Sequence, residues 1–136
     1  GFLSALNDNN VNIPEELIFK GDYTYRKGYQ GALSLLKQDL PFTALFCGND
    51  QSAMSAIAAI TNKGFEVPND ISVIGYDDMN IASYTSPPLT TVRIPFNRMA
   101  ISATRRLLNL CYDLELDINY DFPIQLIERQ SVKNIG

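Results

Sequence analysis

The sequence contains no histidine, an absence that removes imidazole acid/base catalysis and most zinc sites together. Cysteine is scarce. Cys47 and Cys111 stand 64 positions apart in unlike surroundings, one in an apolar run and one late in a helical pattern, so neither a metal knuckle nor a redox pair is spelled out. Long basic runs are missing too: 11 Lys plus Arg face 15 Asp plus Glu, for a formal charge of -4. Gripping a phosphate backbone takes several clustered cations, and the lone adjacent arginine pair, Arg105-Arg106, reads as solvated helix surface. No apolar run approaches membrane-spanning length, and no basic stretch followed by an apolar core opens the chain. These absences lead to the expectation of a protein in a reducing, cytoplasmic compartment, with no membrane partner.

What is present is enough to build a core. The 136 residues are 46% hydrophobic, which predicts one packed globular unit that needs neither disulfides nor metals. The opening GFLSAL places Phe2, Leu3 and Leu6 at helical spacing, with no initiator methionine. The chain therefore reads as the interior of a longer protein, beginning within a helix.

Further along, strands and helices alternate. A short apolar strand is expected at 17–19. Next comes a helix capped by Thr24 and stopped by Pro41, with Tyr29, Ala32, Leu33, Leu36 and Leu40 on its apolar side. Residues 42–47, FTALFC, are almost continuously apolar and predict a strand buried on both faces. Asp50 is expected to cap the alanine-rich helix that follows, which ends at Gly64. The run ISVIGYDD, residues 71–78, is a strand ending in two acids. After Ser86-Pro87-Pro88 a strand is expected over 89–94, then a helix started by Pro95 with Phe96, Met99, Ala103, Leu107 and Leu110 near one side. That helix needs something apolar to cover. A polar loop over 113–121 leads to a last strand around 122–129, which Pro123 disfavours from a central place.

Strand, helix, strand with short turns predicts an α/β fold with a parallel sheet and right-handed crossovers. Asn49-Asp50, Asp77-Asp78 and Tyr23 then share the edge beyond the carboxyl ends of the strands, where open parallel sheets bind ligands. Asp77 could cap a turn, or its carboxylate could accept hydrogen bonds from the hydroxyls of a polar ligand. Asn49 offers an acceptor and a two-hydrogen donor to the same ligand. Tyr23 could lie flat on the apolar face of a sugar or base, or pack in the ordinary way. Asp78 reads as solvent-facing or turn-forming.

An alternative use of Asp50, Asp77 and Asp78 is a phosphoacceptor or Mg²⁺ pocket. Its weakness is the lack of a lysine at that edge, since Lys37 and Lys63 fall elsewhere on their helices. No G-x-S-x-G, G-x-G-x-x-G or P-loop occurs, so no nucleophile with an activating base is available and no enzyme is expected. No metal or cofactor is called for.

FTALFCGNDQSAMSAIAAITNKGFEVPNDISVIGYDDMNIASYTSPPLTTVRIPFNRMA, residues 42–100, resembles the effector-binding core of LacI/GalR-type transcriptional repressors, and within them the galactose and related sugar repressors. The asparagine-aspartate turn, the VP-DIS entry, the G-Y-D-D strand end and the P-P-L-T-T-V-R return carry the likeness. GFLSAL, GDYTYRKGYQGALSLL and IQLIERQS extend it more weakly over the rest of the chain.

The resemblance implies a periplasmic-binding-protein-like type I fold: a three-layer, parallel-sheet lobe, here without most of the N-terminal lobe. Residues 1–84 and 118–130 would form the C-terminal lobe, and the strand and helix over 89–110 would join the N-terminal one. It implies that Tyr23, Asn49 and Asp77 touch a small effector, most plausibly a sugar, and that the arginine this family places just before the Gly1-Phe2 position is not in this sequence. The core would dimerise with itself, with Met54 and Tyr84 as interface candidates or, equally, as packing residues. Operator DNA would be read only through a helix-turn-helix domain absent from this chain. An exported sugar-binding receptor of the same fold is the other reading.

Overall fold

The computed structural model describes residues 1–134. Four strands form one sheet in the order β1-β2-β3-β4: β1 (Ala44–Phe46), β2 (Ser72–Asp77), β3 (Thr90–Arg93) and β4 (Gln125–Ile127). The first three are parallel and β4 is antiparallel to β3, so the predicted α/β class stands with a mixed rather than wholly parallel sheet. Helices α1 (Phe2–Asp8), α2 (Tyr25–Leu35), α3 (Asp50–Asn62) and α4 (Phe96–Tyr112) flank or extend from it.

The core lies where α3 meets the sheet. Small side chains on α3, Ala53, Ala56 and Ala59, alternate with Ile57 and Ile60, and all five are buried against residues such as Val73 and Leu89. Complete burial of Ile60 and Val73 contributes roughly 1.5–3 kcal/mol each. Gly28 lets α2 settle directly onto α3, because a Cβ there would come within 2.6 Å of the Ser52 Cα and carbonyl oxygen. Met54 is partly buried and packs on this core, whereas Tyr84 is 82% exposed.

Several expectations are corrected. Helix α2 does start at the Thr24 cap, whose Oγ1 accepts from the Lys27 N–H at 3.2 Å, but it ends at Leu35, well before Pro41. β1 is not buried on both faces: Ala44 is exposed and Leu45 and Phe46 are half-buried. The strand expected at 17–19 is a short 3-10 turn, Glu15–Leu17, followed by extended Ile18 that joins no ladder.

The Phe19 ring lies on α2 in the space a Gly31 Cβ would fill, and Phe2 stacks on Phe46 with centroids 4.5 Å apart. A cavity of about 620 Å³ remains between this segment, α1, α2 and β1.

β3 pairs with β2 in the same sheet, which differs from the expectation that the strand after Leu89 belongs to a second lobe. Only beyond Arg93 does the chain depart, into α4. This helix is held by residues 116–120 rather than by the sheet: Asn109 exchanges two bonds with Leu116, Arg105 donates to the Asp117 carbonyl, and the Asn119 N–H donates to Ser102 Oγ. Its apolar side stays in solvent, with Leu107 60% and Leu110 75% exposed.

Candidate functional site

β1 and β2 run in register from Ala44 opposite Ser72 to Phe46 opposite Ile74, so the residues after β1 and at the end of β2 emerge at one edge. Gly48 and Asn49 follow β1 directly, and Asp77 closes β2 opposite Arg93 of β3. Tyr23 reaches the same place from the start of α2.

Local chemistry fixes Tyr23. Asp22 Oδ1 accepts from the Thr24 N–H at 3.1 Å and from its hydroxyl at 2.6 Å, and these bonds lower the Asp22 pKa. The turn they make leaves Tyr23 at φ 65°, a left-handed conformation rare for a side-chain-bearing residue. Its ring covers Gly48, where an added Cβ would sit 2.9 Å from Cε1, yet the residue is 67% exposed. One ring face is thus supported by backbone while the residue stays open to solvent.

Asn49, not Asp50, caps α3. Its Oδ1 accepts from the Ser52 N–H at 2.9 Å, and its Nδ2 donates to the Tyr23 carbonyl at 3.0 Å. The amide is therefore half committed, with one N–H and one lone pair still available. Tyr23 and Asn49 are in contact through backbone and amide rather than ring and amide.

Asp77 is the third member. It ends β2 at φ 114° and Asp78 follows at φ 56°, two consecutive side-chain-bearing residues in left-handed backbone. Such conformations cost on the order of 1–3 kcal/mol each and gather at ligand sites. The Asp77 carboxylate is half-buried and accepts no hydrogen bond among the described residues. Burial raises its pKa, and the neighbouring Asp50 charge adds to the rise.

The other two acids are committed inside the protein, against expectation. Asp50 is fully buried in the first turn of α3, where Oδ1 accepts from the Thr91 hydroxyl at 2.5 Å and Oδ2 from the Met79 N–H at 2.7 Å. Burial raises its pKa, and those two bonds oppose the rise. Gly75 makes room for it, because a Cβ there would collide with Asp50 Oδ1 and lie 2.9 Å from Leu89 Cδ2.

Asp78 is not solvent-facing. Its side chain is 7% exposed and pairs with Arg93 Nε and Arg129 Nη2, each at 2.6 Å. Burial pushes its pKa up, but the bonds and charges of Arg129 and Arg93 prevail and the net shift is downward. Sequence reasoning missed both roles. The signal available was the pair Thr90-Thr91, two adjacent polar residues in a strand, both of which are buried and had to be answered by partners.

With Asp50 and Asp78 occupied, a phosphoacceptor or Mg²⁺ pocket would have Asp77 alone. Among the described residues no group of three or more His, Cys, Asp or Glu side chains could hold a metal ion. The 620 Å³ cavity is a separate space that shares Tyr23 and Gly48 with this edge but includes neither Asn49 nor Asp77. Its walls are largely apolar, including Ile18, Phe19, Leu45 and Phe46, with Lys20, Lys27 and Ser52 among the polar members. Among the described residues no helix is long and apolar enough to cross a membrane.

A parallel-strand edge carrying an aromatic ring, an amide and a carboxylate without a partner among the described residues is the kind of edge at which α/β domains bind small molecules. The chain belongs to the periplasmic binding protein-like domain family, whose model matches residues 1–132. It is homologous to LacI/GalR-type transcriptional regulators. The HTH-type transcriptional repressor PurR of Photorhabdus laumondii is 41% identical over 133 residues, covering 97% of this chain and 39% of that protein. The probable HTH-type transcriptional repressor ExuR of Bacillus subtilis is 41% identical over 115 residues, 85% of this chain and 34% of that one. Among solved structures, a sugar-binding transcriptional regulator of the LacI family from Escherichia coli, complexed with phosphate, superposes with a TM-score of 0.88 at 34% identity, covering 96% of this chain and 47% of that chain. The chain thus spans less than half the length of these relatives.

Proposed function

We propose that this chain is the effector-sensing and dimerisation core of a cytoplasmic LacI/GalR-type regulator. On this reading the effector is a small polar molecule, a sugar before a nucleobase, bound by Tyr23, Asn49 and Asp77. The core pairs with a second copy, with Tyr84 and Met54 as candidate contacts, and operator DNA is contacted by a separate N-terminal domain. The chain is a binding module and not an enzyme, and it uses no cofactor.

The observation that carries this reading is the Asp77 carboxylate, half-buried, held in left-handed backbone and without a partner among the described residues, at the same strand edge as the Tyr23–Asn49 pair. An acceptor so placed favours ligands that bring hydroxyl or N–H donors, since leaving it unpaired in a closed site is costly. The solvent-facing side of the Tyr23 ring suits the C–H face of a sugar, and the spare N–H and lone pair of Asn49 suit a hydroxyl. A sugar is placed before a base because the nearest acceptor-rich groups match vicinal hydroxyls. Among relatives, the name of the Escherichia coli protein says that it binds sugar. An effector of this kind shifts the regulator only by its difference in affinity for two lobe arrangements.

Titration calorimetry of the full-length protein with galactose, pentoses and nucleobases tests the reading, and heat from none of them would sink it. Asp77→Asn should weaken binding of the responding compound about tenfold to a hundredfold, in keeping with a charged hydrogen bond, and hold or raise the melting temperature, because it removes a charge that burial disfavours. Equal affinities would remove Asp77 from the site. Sequencing the whole gene separates the reading from its rival: a helix-turn-helix segment favours the regulator, and a secretory leader the exported receptor.

A further inference from the structure

The three groups around Asp78 do more than neutralise a charge. Asp78 follows Asp77 immediately, and both residues have positive φ. Arg93, which pairs with one oxygen of Asp78, is the last residue of β3 and stands opposite Asp77 in the sheet. Arg129, which pairs with the other oxygen, lies beyond β4, and its Nη1 also donates to the Leu89 carbonyl at 2.7 Å. The Asp78 N–H reaches Thr91 Oγ1 at 3.4 Å, and the next N–H, that of Met79, donates to Asp50. One carboxylate is thus gripped from both strands that lead to and from α4, at the turn that presents the partnerless Asp77.

We propose that Asp78 is a positioning residue: clamped by Arg93 and Arg129, it holds the left-handed turn that sets Asp77 for its ligand and ties that turn to the strands bearing α4. The role in binding rests on the reading of Asp77 as a ligand contact; the holding of the turn does not. Asp78→Asn replaces an acceptor oxygen with a donor that faces a guanidinium, and leaves Arg129, whose side chain is only 15% exposed, without its counter-charge. Without the clamp the strained pair relaxes and Asp77 turns away.

Two measurements on the full-length protein decide the matter. In hydrogen exchange, Asp78→Asn should speed the Met79 amide by about tenfold or more while amides of α2 keep their rates. Unchanged exchange at Met79 would overturn the clamp whether or not any ligand is found. Should that variant fail to fold, Arg93→Gln, whose side chain is 51% exposed, removes one of the two bonds and should give the same local effect in smaller measure.

The second measurement is a double-mutant cycle on the compound of the galactose, pentose and nucleobase panel that the parent protein binds. Asp78→Asn alone should weaken binding about tenfold, but in an Asp77→Asn background it should change binding less than about twofold, because its effect passes through Asp77. Additive losses would reject the positioning role. A parent protein that binds no compound rejects the proposed function instead, and the exchange result still decides the clamp.

Discussion

Gly75 shows how much one hydrogen atom in place of a methyl group decides here. Its position in β2 lies directly under Asp50 and Leu89, so the buried acid can reach Thr91 and Met79 only if that position carries no side chain. Gly75→Ala should therefore destabilise the protein by about 1–3 kcal/mol, the usual range for overpacking, and lower the midpoint of a urea melt. An unchanged midpoint would show that Asp50 has room to move. The sequence displayed Gly75 within G-Y-D-D but gave no way to know what faced it. Cys47 was easier to read: its place in an apolar run predicted burial, and burial pushes its pKa up to about 12. Asn49 and Asp50 were taken in the wrong order because both are good caps, and only the depth at which each lies separates them.

At the scale of elements, the sequence pattern located the four helices and the four strands of the described residues, and it failed in one further strand that does not form. Residues 17–19 have a strand's composition, yet no ladder forms there, and the Phe19 ring lies on α2. The acids that bind elements together were equally hidden. Asp50 joins α3 to β3, and Asp78 joins the end of β2 to β3 and to the chain after β4.

Their titrations have opposite consequences. The Asp78 pKa is lowered from 3.8, so its stabilisation is complete above that value and is lost as the pH falls through the folded-state pKa. Asp50 and Asp77 have raised values, so their ionised forms oppose folding, and acid relieves that cost as the pH drops through their folded pKa values toward 3.8. Thermal melts should accordingly hold or rise on mild acidification and fall below about pH 3.8. Asp78→Asn should start on the order of 3 kcal/mol less stable at neutral pH and lose most of the fall below 3.8. An acid limb identical to the parent's would assign the loss to other carboxylates.

For the molecule as a whole, the expected closed globule is not what is found. A compact protein of 15.2 kDa exposes about 7,100 Å², whereas this chain exposes 9351 Å². Exposed apolar residues lie on α1 and on α4, where Phe96, Ile101, Leu107 and Leu110 face solvent. Composition could not reveal this, because an apolar fraction says how much can be buried and not whether its partner is at hand. The 136-residue chain on its own should bind an environment-sensitive apolar dye strongly, and Leu107→Glu with Leu110→Glu should remove much of that signal without altering the melt of the sheet. Dye binding that survives the double change would place the sticky surface elsewhere.

The opposition of Arg93 and Gln125 across β3 and β4 has a mechanical corollary. The polypeptide leaves the sheet and comes back to it at neighbouring points, so the α4 arm hangs from two parallel straps, as a door hangs from a pair of hinges. Such a mounting permits swinging about the line through the straps and resists spinning about the arm's own length, so that any reorientation of α4 is channelled into a single direction.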